Sequence, residues 1–387
     1  MKFFNAHIHC FTLKHVPDRF YGAISLSKLR RGHLLTRLVL WLHRLWPWKE
    51  NDLFDRLSIL LGTMEKPLQE TVFDMAAGQY PEGTGFVALS MDMEHMGAGK
   101  PEVSFKDQLD ELTELKKKKG EAIYPFICAD PRNPDITRQV KHYIKSREFA
   151  GIKLYPALGY FPFDIRLHEI YRFALENDLP VTAHCSKGPV YYRGEYTPEM
   201  LVHPVTGVPF TGKSKSELSW NYSDPMNYHY LMDQSSLQKY IDQVAPGEKA
   251  PDFSRLKICL AHFGGDQELD KYLYSGWDFV HSVPLDNNNN WFSTIRDLIE
   301  KHENLYTDIA YTWENPAYHA ILKVLLDDSM ATPGHKFFRR VLFGTDYFLV
   351  SKECRERKFS VDLRAYLGAE CFQQIAQKNP MAFLNIS

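Results

Sequence analysis

Short apolar runs of strand length recur along the chain, several closing on a polar residue that can bind a metal or move a proton. The runs lie at 2–9, 85–91, 122–128, 151–155, 180–184, 257–262, 304–309 and 341–345, and their length and composition are those of buried strands. Between them, Phe105 to Lys119, Ile136 to Arg147, Arg166 to Asn177 and Trp291 to His302 carry apolar residues at helical spacing. Strands alternating with helices predict a parallel sheet. Polar residues at the carboxyl ends of many parallel strands share one space only when the strands surround it, so the pattern predicts an α/β fold of the (β/α)8 TIM barrel type.

The residues at those strand ends are the candidate chemistry. His7 and His9 stand two apart at the end of the first run. On a strand they share a face, and neutral imidazole is the commonest metal ligand. His184 ends Leu179 to Ala183, His262 ends Leu256 to Ala261, and Asp346 ends Val341 to Thr345. Each also has an ordinary explanation: a surface strand that happens to carry two histidines, a core histidine with a satisfied hydrogen bond, or a turn aspartate capping a helix. Their repetition at strand ends sets them apart.

Two long segments interrupt the alternation. Removing 10–82 and 186–256 leaves about 240 residues, close to the ~250 that a barrel needs. Both follow a strand, which assigns them to the active-site face as lids or substrate walls. The reading is one barrel domain over 1–387, with 10–82 a helical lid or interface and 186–256 an aromatic-rich loop region. In the first, Leu34, Leu35, Leu38, Leu42 and Leu45 form an apolar stripe beside Arg30, Arg31, Arg37 and Arg44. The stripe is too short and too charged to span a bilayer, so no transmembrane segment is expected. With Trp41, Trp46 and Trp48 it suits a lid, a contact in a homo-oligomer or an interfacial helix on a membrane surface.

Composition narrows the partners. With 46 basic against 48 acidic residues, nothing in the charge favours nucleic acid. Six scattered cysteines without a C-x-x-C pair read as reduced thiols. A metal motif starting at residue 7 leaves no room for a cleaved signal peptide, which points to the cytoplasm.

The motifs together resemble a known family. His-x-His at 7–9, Gly-Ile-Lys-Leu-Tyr-Pro at 151–156, Thr-Ala-His-Cys at 182–185, Leu-Ala-His-Phe-Gly-Gly at 260–265 and Phe-Gly-Thr-Asp at 343–346 look like the metal-dependent amidohydrolase superfamily. The likeness is to its branch that includes aminocarboxymuconate-semialdehyde decarboxylase, and it is weakest in the two insertions. It implies a barrel, a divalent metal, and either hydrolysis or non-oxidative decarboxylation. It implies His7, His9, His184 and Asp346 as ligands, a set of three imidazoles and a carboxylate that suits Zn2+ first, with Mn2+ or Fe2+ as alternatives.

On this reading Asp346 and His262 are the catalytic pair. Asp346 orients a metal-activated water and accepts its proton; His262 either binds a second metal or, as relatives suggest, polarises the substrate and shuttles a proton. Hydrolysis of an amide, ester or lactone is the leading expectation, decarboxylation of a small unsaturated or aromatic acid the alternative. A non-catalytic binding protein would lack a ligand, and none is missing. Lys153 resembles the carboxylated lysine that bridges two metals in dihydroorotase-like members; the expectation is a single metal and an unmodified Lys153. Asp308, Asp92 and Glu94 lie near strand ends as groups that orient histidines or as ordinary turn acids; Asp130 and Arg132 receive no role. The substrate is expected to be a small carboxylic acid or its derivative, stacked on aromatics such as Tyr191 and paired with Arg193 or Lys187.

Overall fold

The computed structural model describes residues 2–20, 62–274, 290–352 and 354–386. All eight expected strands are present: β1 (Phe4–Ile8), β2 (Gly85–Leu89), β3 (Ile123–Cys128), β4 (Gly151–Leu154), β5 (Pro180–Ser186), β6 (Lys257–Gly264), β7 (Leu305–Asp308) and β8 (Val341–Leu342). They pair in parallel in chain order. The ring closes where the Ala6 N–H donates to the Phe343 carbonyl at 2.8 Å and Ile8 bridges in parallel to Tyr347. This is the (β/α)8 barrel.

The helices between strands follow their apolar spacing. Helix α1 (Gln69–Ala77) precedes β2, α2 (Phe105–Lys119) precedes β3 and α3 (Ile136–Arg147) precedes β4. Ser104 caps α2 by accepting the Asp107 N–H, Leu109, Leu112 and Leu115 face inward, and four lysines occupy its last turn, where cations suit the helix dipole. The expected helix 166–177 divides instead. Asp164 accepts the Arg166 N–H and starts a 3-10 turn, Ile165–Leu167, which runs into α4 (His168–Glu176).

The second insertion sets three helices among loop. It holds α5 (Lys215–Ser223), α6 (Met226–Met232) and α7 (Gln234–Val244), and docks on the 3-10 turn after β4, Pro156–Leu158, through the Tyr192 N–H bond to the Ala157 carbonyl. Further helices are α8 (Asp266–Tyr274), α9 (Trp291–Lys301), α10 (His319–Ala331), α11 (Glu356–Gln373) and α12 (Asn379–Leu384). Within the first insertion, α1 packs Phe73 on Phe86 and so belongs to the barrel wall. The leucine and tryptophan stripe at 34–48 lies outside the described residues. Among those described, no helix is long and apolar enough to cross a membrane. No disulfide forms among them, and Cys10, Cys128, Cys185, Cys259 and Cys371 are buried.

Two apolar layers hold the barrel. Inside, Phe4, Ala6, Val87, Leu89, Phe126, Cys259, Tyr306 and Leu342 pack together, and Phe383 and Leu384 of α12 join them. Outside, residues alternate with these, such as Phe86 and Ala88 on β2 or Ile152 and Leu154 on β4, and meet the helices. Strand β1 departs from simple alternation. Between the pairs Asn5 with Phe86 and Ile8 with Ala88, the two residues Ala6 and His7 lie opposite Val87 alone, a bulge that changes which face the following side chains take. Asn5 therefore contacts Tyr80 and Glu356 of the outer layer, whereas His7 and His9 converge at the open end of the ring.

Candidate metal centre

His7, His9 and Asp346 place one ligand atom each within 4.8 Å of the others, as do His7, His262 and Asp308. His7 Nε2 lies 3.4 Å and His9 Nε2 3.3 Å from Asp346 Oδ1. The partner of each other ring nitrogen fixes the tautomer. His7 Nδ1 lies 2.8 Å from Asp308 Oδ2 and His9 Nδ1 3.0 Å from the Leu89 carbonyl. Carbonyl and carboxylate oxygens only accept, so both Nδ1 atoms carry hydrogen, and in the neutral ring each Nε2 presents a lone pair. Two lone pairs thus face a carboxylate oxygen in a buried site.

Electrostatics maintain that arrangement. Burial lowers the His7 pKa to about 4 against the pull of Asp308, so its ring is neutral near pH 7. Burial would raise Asp346, but a hydrogen bond from His9 and the charge that His7, His262 and His9 carry when protonated outweigh it and hold the acid well below the usual carboxylate range. Burial likewise opposes ionisation of Asp308, and the charge of His7 when protonated, with the hydrogen bonds from His7 and the His262 backbone, overcomes it.

Backbone strain shapes the same corner. His262, Phe263 and Asp346 adopt φ of 70°, 47° and 62°, the left-handed region that costs a non-glycine residue on the order of 1 kcal/mol. The turn at Asp346 lies against β1, its N–H donating to the His7 carbonyl at 2.9 Å. Gly344 permits that approach, since a Cβ there would meet His7 Cβ at 2.7 Å.

His262 and His184 extend the cluster. The His262 ring lies 4.8 Å from that of His7 and 4.9 Å from that of His184. Its backbone N–H donates to Asp308 Oδ1 and its Nδ1 to the Ala310 carbonyl at 3.2 Å. His184 stands one ring further than the tight group. Its Nε2 donates to the Ser186 carbonyl at 3.1 Å, its ring stacks on Tyr155 at 4.1 Å, and its Nδ1 is buried without a hydrogen-bond partner. Lys153 points into the barrel with a buried, unpartnered Nζ; burial lowers its pKa against Asp308 and Asp346.

A divalent cation fits these residues. His7 Nε2, His184 Nδ1 and Asp346 Oδ1 are all buried without a hydrogen-bond partner, and neutral imidazole with carboxylate is a donor set for such ions.

Other candidates separate from the cluster. Tyr191 and Arg193 engage each other, with 3.1 Å between hydroxyl and guanidinium and the cation 4.4 Å over the ring. Among the described residues no hydrogen bond or ion pair ties either to the histidines. Lys187 pairs with buried Glu268 at 2.7 Å. Glu94 accepts the Phe105 N–H at the start of α2, and Asp92 accepts the Glu94 N–H, the roles of turn acids. Asp130 is held by Arg132. Tyr155, within a motif but without a sequence-based role, and Glu356, which no motif marks, are the residues that sequence reasoning missed.

The sequence matches the amidohydrolase family over residues 7–386, and the chain belongs to that family. It is therefore an enzyme of the amidohydrolase type. A search of curated proteins found no match. Among solved structures, 2,6-dihydroxybenzoate decarboxylase in complex with 2,6-dihydroxybenzoate is similar at 13% identity, with 98% of each chain covered and a TM-score of 0.52. The 5-carboxyvanillate decarboxylase LigW2 of Novosphingobium aromaticivorans, with bound manganese, is 13% identical over 99% of this chain and 97% of its own, with a TM-score of 0.51. An amidohydrolase of Burkholderia multivorans is 10% identical over the full length of both chains, with a TM-score of 0.53. At these identities the likeness speaks for the fold.

Proposed function

We propose that the chain is a divalent-cation-dependent decarboxylase of a small aromatic or unsaturated carboxylic acid, in place of the hydrolysis that leads from sequence alone. The cation would be held by His7 Nε2, His9 Nε2, His184 Nδ1 and Asp346. The observation that carries the reading is the pair of lone-pair nitrogens directed at one buried carboxylate oxygen, an arrangement that calls for a cation between them. The decarboxylases among the similar structures, one named with a dihydroxybenzoate and one with manganese and a substituted benzoic acid, support the choice of reaction. Zn2+ remains the expected ion from the donor set, with Mn2+ next.

When bound, the cation supplies Lewis acidity toward the substrate carboxylate or a neighbouring hydroxyl. Asp346, ionised in the resting site, would accept the proton of a hydroxyl beside the substrate carboxylate and return it to the carbon that loses carbon dioxide. The C–C bonding pair stays on that carbon and the proton replaces the carboxylate. His262, neutral and anchored by Ala310, orients the substrate with its Nε2 side. Tyr155, flat on His184, offers a wall for a planar acid. One cation suffices, because both Asp308 oxygens already accept hydrogen bonds from His7, His262 and Ala310; Lys153 is an unmodified amine.

Hydrolysis is the second reading, favoured by the ionised Asp346, which is equally placed to accept a proton from water. Purified enzyme loaded with Zn2+ or Mn2+ and offered hydroxybenzoate-like acids and lactones separates the two. Carbon dioxide release from the acids supports decarboxylation, and turnover of lactones alone would overturn it.

A further inference from the structure

Behind Asp346 lies another buried carboxylate, Glu356, the first residue of α11 and 2% exposed. Three donors converge on its Oε1: the Tyr80 hydroxyl, the Thr345 hydroxyl at 2.7 Å and Asn5 Nδ2 at 3.2 Å. Asn5 Nδ2 also donates to Thr345 Oγ1 at 2.8 Å, and Asn5 Oδ1 accepts the backbone N–H of Thr345 at 3.2 Å and of His7 at 3.3 Å. Thr345 precedes Asp346 by one residue, and Asn5 precedes His7 by two.

A carboxylate at a helix start usually serves the helix dipole while exposed to water. Glu356 is withdrawn from water and has no cationic partner among the described residues, an arrangement that costs stability unless its hydrogen bonds compensate. Those bonds join four segments: β1, the approach to β2, the turn after β8 and α11. They meet at the seam where the ring closes, and both strands of that seam carry a candidate ligand.

We propose that Glu356 is a positioning residue for the cation site: by clamping Thr345 and Asn5 it fixes the backbone that presents Asp346 and His7 to one ion. The inference rests on the reading that His7, His9 and Asp346 hold the cation. Glu356 touches neither ion nor substrate and acts through its neighbours.

The test is a chelator-competition titration of metal-stripped protein with Zn2+, alongside thermal unfolding of the metal-free form. Glu356→Ala weakens Zn2+ affinity by about 10–100-fold, the usual cost of losing a group that orients ligands. Glu356→Gln keeps an oxygen for the same three donors and stays close to the parent. Thr345→Val weakens affinity as well, and the two lesions together cost less than their sum because they break one chain of contacts. A purely architectural role would lower the unfolding temperature of Glu356→Ala and leave affinity unchanged, which overturns the proposal. Should Glu356→Ala not fold, Thr345→Val with parental affinity overturns it equally. Asp346→Asn separates the two levels: if it too leaves Zn2+ binding untouched, the site reading has failed; if it weakens binding and Glu356→Ala does not, only the role of Glu356 falls.

Discussion

Asp308 accepts the Nδ1–H of His7 at 2.8 Å, a contact between residues 301 positions apart in the chain. Its other oxygen takes the backbone N–H of His262 at 2.8 Å, so one carboxylate orients both histidines. An asparagine can accept on only one of its two atoms. Asp308→Asn turns an N–H toward either His7 Nδ1 or the His262 amide, and the first choice moves the imidazole hydrogen onto Nε2. We expect cation affinity to fall about 10–100-fold in a competition titration. Parental affinity would mean that the tautomer is set elsewhere.

Lys153 carries a buried amine without a hydrogen-bond partner, 5.8 Å over the Tyr155 ring, and an unmade buried hydrogen bond costs about 1–3 kcal/mol. Lys153→Met, similar in length and apolar, should raise the unfolding temperature of the metal-free protein. In the parent supplied with 13C-bicarbonate, NMR should show no carbamate carbon. A carbamate signal, lost in Lys153→Met together with bound metal, would instead establish a two-metal centre.

Tyr155 and His184 stack with ring centres 4.1 Å apart and planes 12° apart. Such pairs contribute about 0.5–1.5 kcal/mol beyond burial, which corresponds to roughly 2- to 12-fold in a rate if the ring must hold its orientation. Tyr155→Leu should lower kcat within that range, and Tyr155→Phe should retain it unless the hydroxyl touches substrate. A loss confined to KM in Tyr155→Phe would identify that contact.

Asp92 supplies a pH test away from the cation site. Burial first, and the nearby Asp130 next, raises its pKa to about 7, against about 4 in an unfolded chain. Between those values the folded protein binds the extra proton, so stability falls as pH rises through the window and levels off above it. Asp92→Asn removes this contribution. Its gain in unfolding temperature over the parent should be larger at about pH 8 than at about pH 5; an equal gain at both would show that Asp92 titrates normally.

The barrel was legible because its strands are buried on both faces and read as continuous apolar runs. Phe105–Lys119 and Ile136–Arg147 begin and end where their apolar spacing does. Of the helices in the second insertion, Lys215–Ser223 was hidden because it has no clear apolar face, and its tyrosine and tryptophan resemble a loop wall, whereas Gln234–Val244 does carry Leu237, Tyr240 and Ile241 at helical spacing. His7, His9 and Asp346 were legible as strand-end residues. His184 was legible as a residue but not in its geometry, standing outside the tight group. Periodicity carried no sign of the bulge in β1 or of the left-handed backbone at His262, because both arise from closing the ring. Glu356 and Tyr80 meet only in three dimensions, 276 residues apart, and neither follows a metal-binding spacing. Arg193, chemically suited to a carboxylate, lies against Tyr191, the other substrate-binding candidate, a pairing the sequence did not announce.

The seam between β1 and β8 has a bearing on biosynthesis. His7 and His9 leave the ribosome more than three hundred residues ahead of Asp346. A nascent chain can offer two imidazoles to a passing ion throughout translation, yet cannot enclose it until the last strand arrives. Metal capture should thus coincide with the pairing of β8 to β1, and loading of stalled, truncated chains would report directly on when the ring shuts.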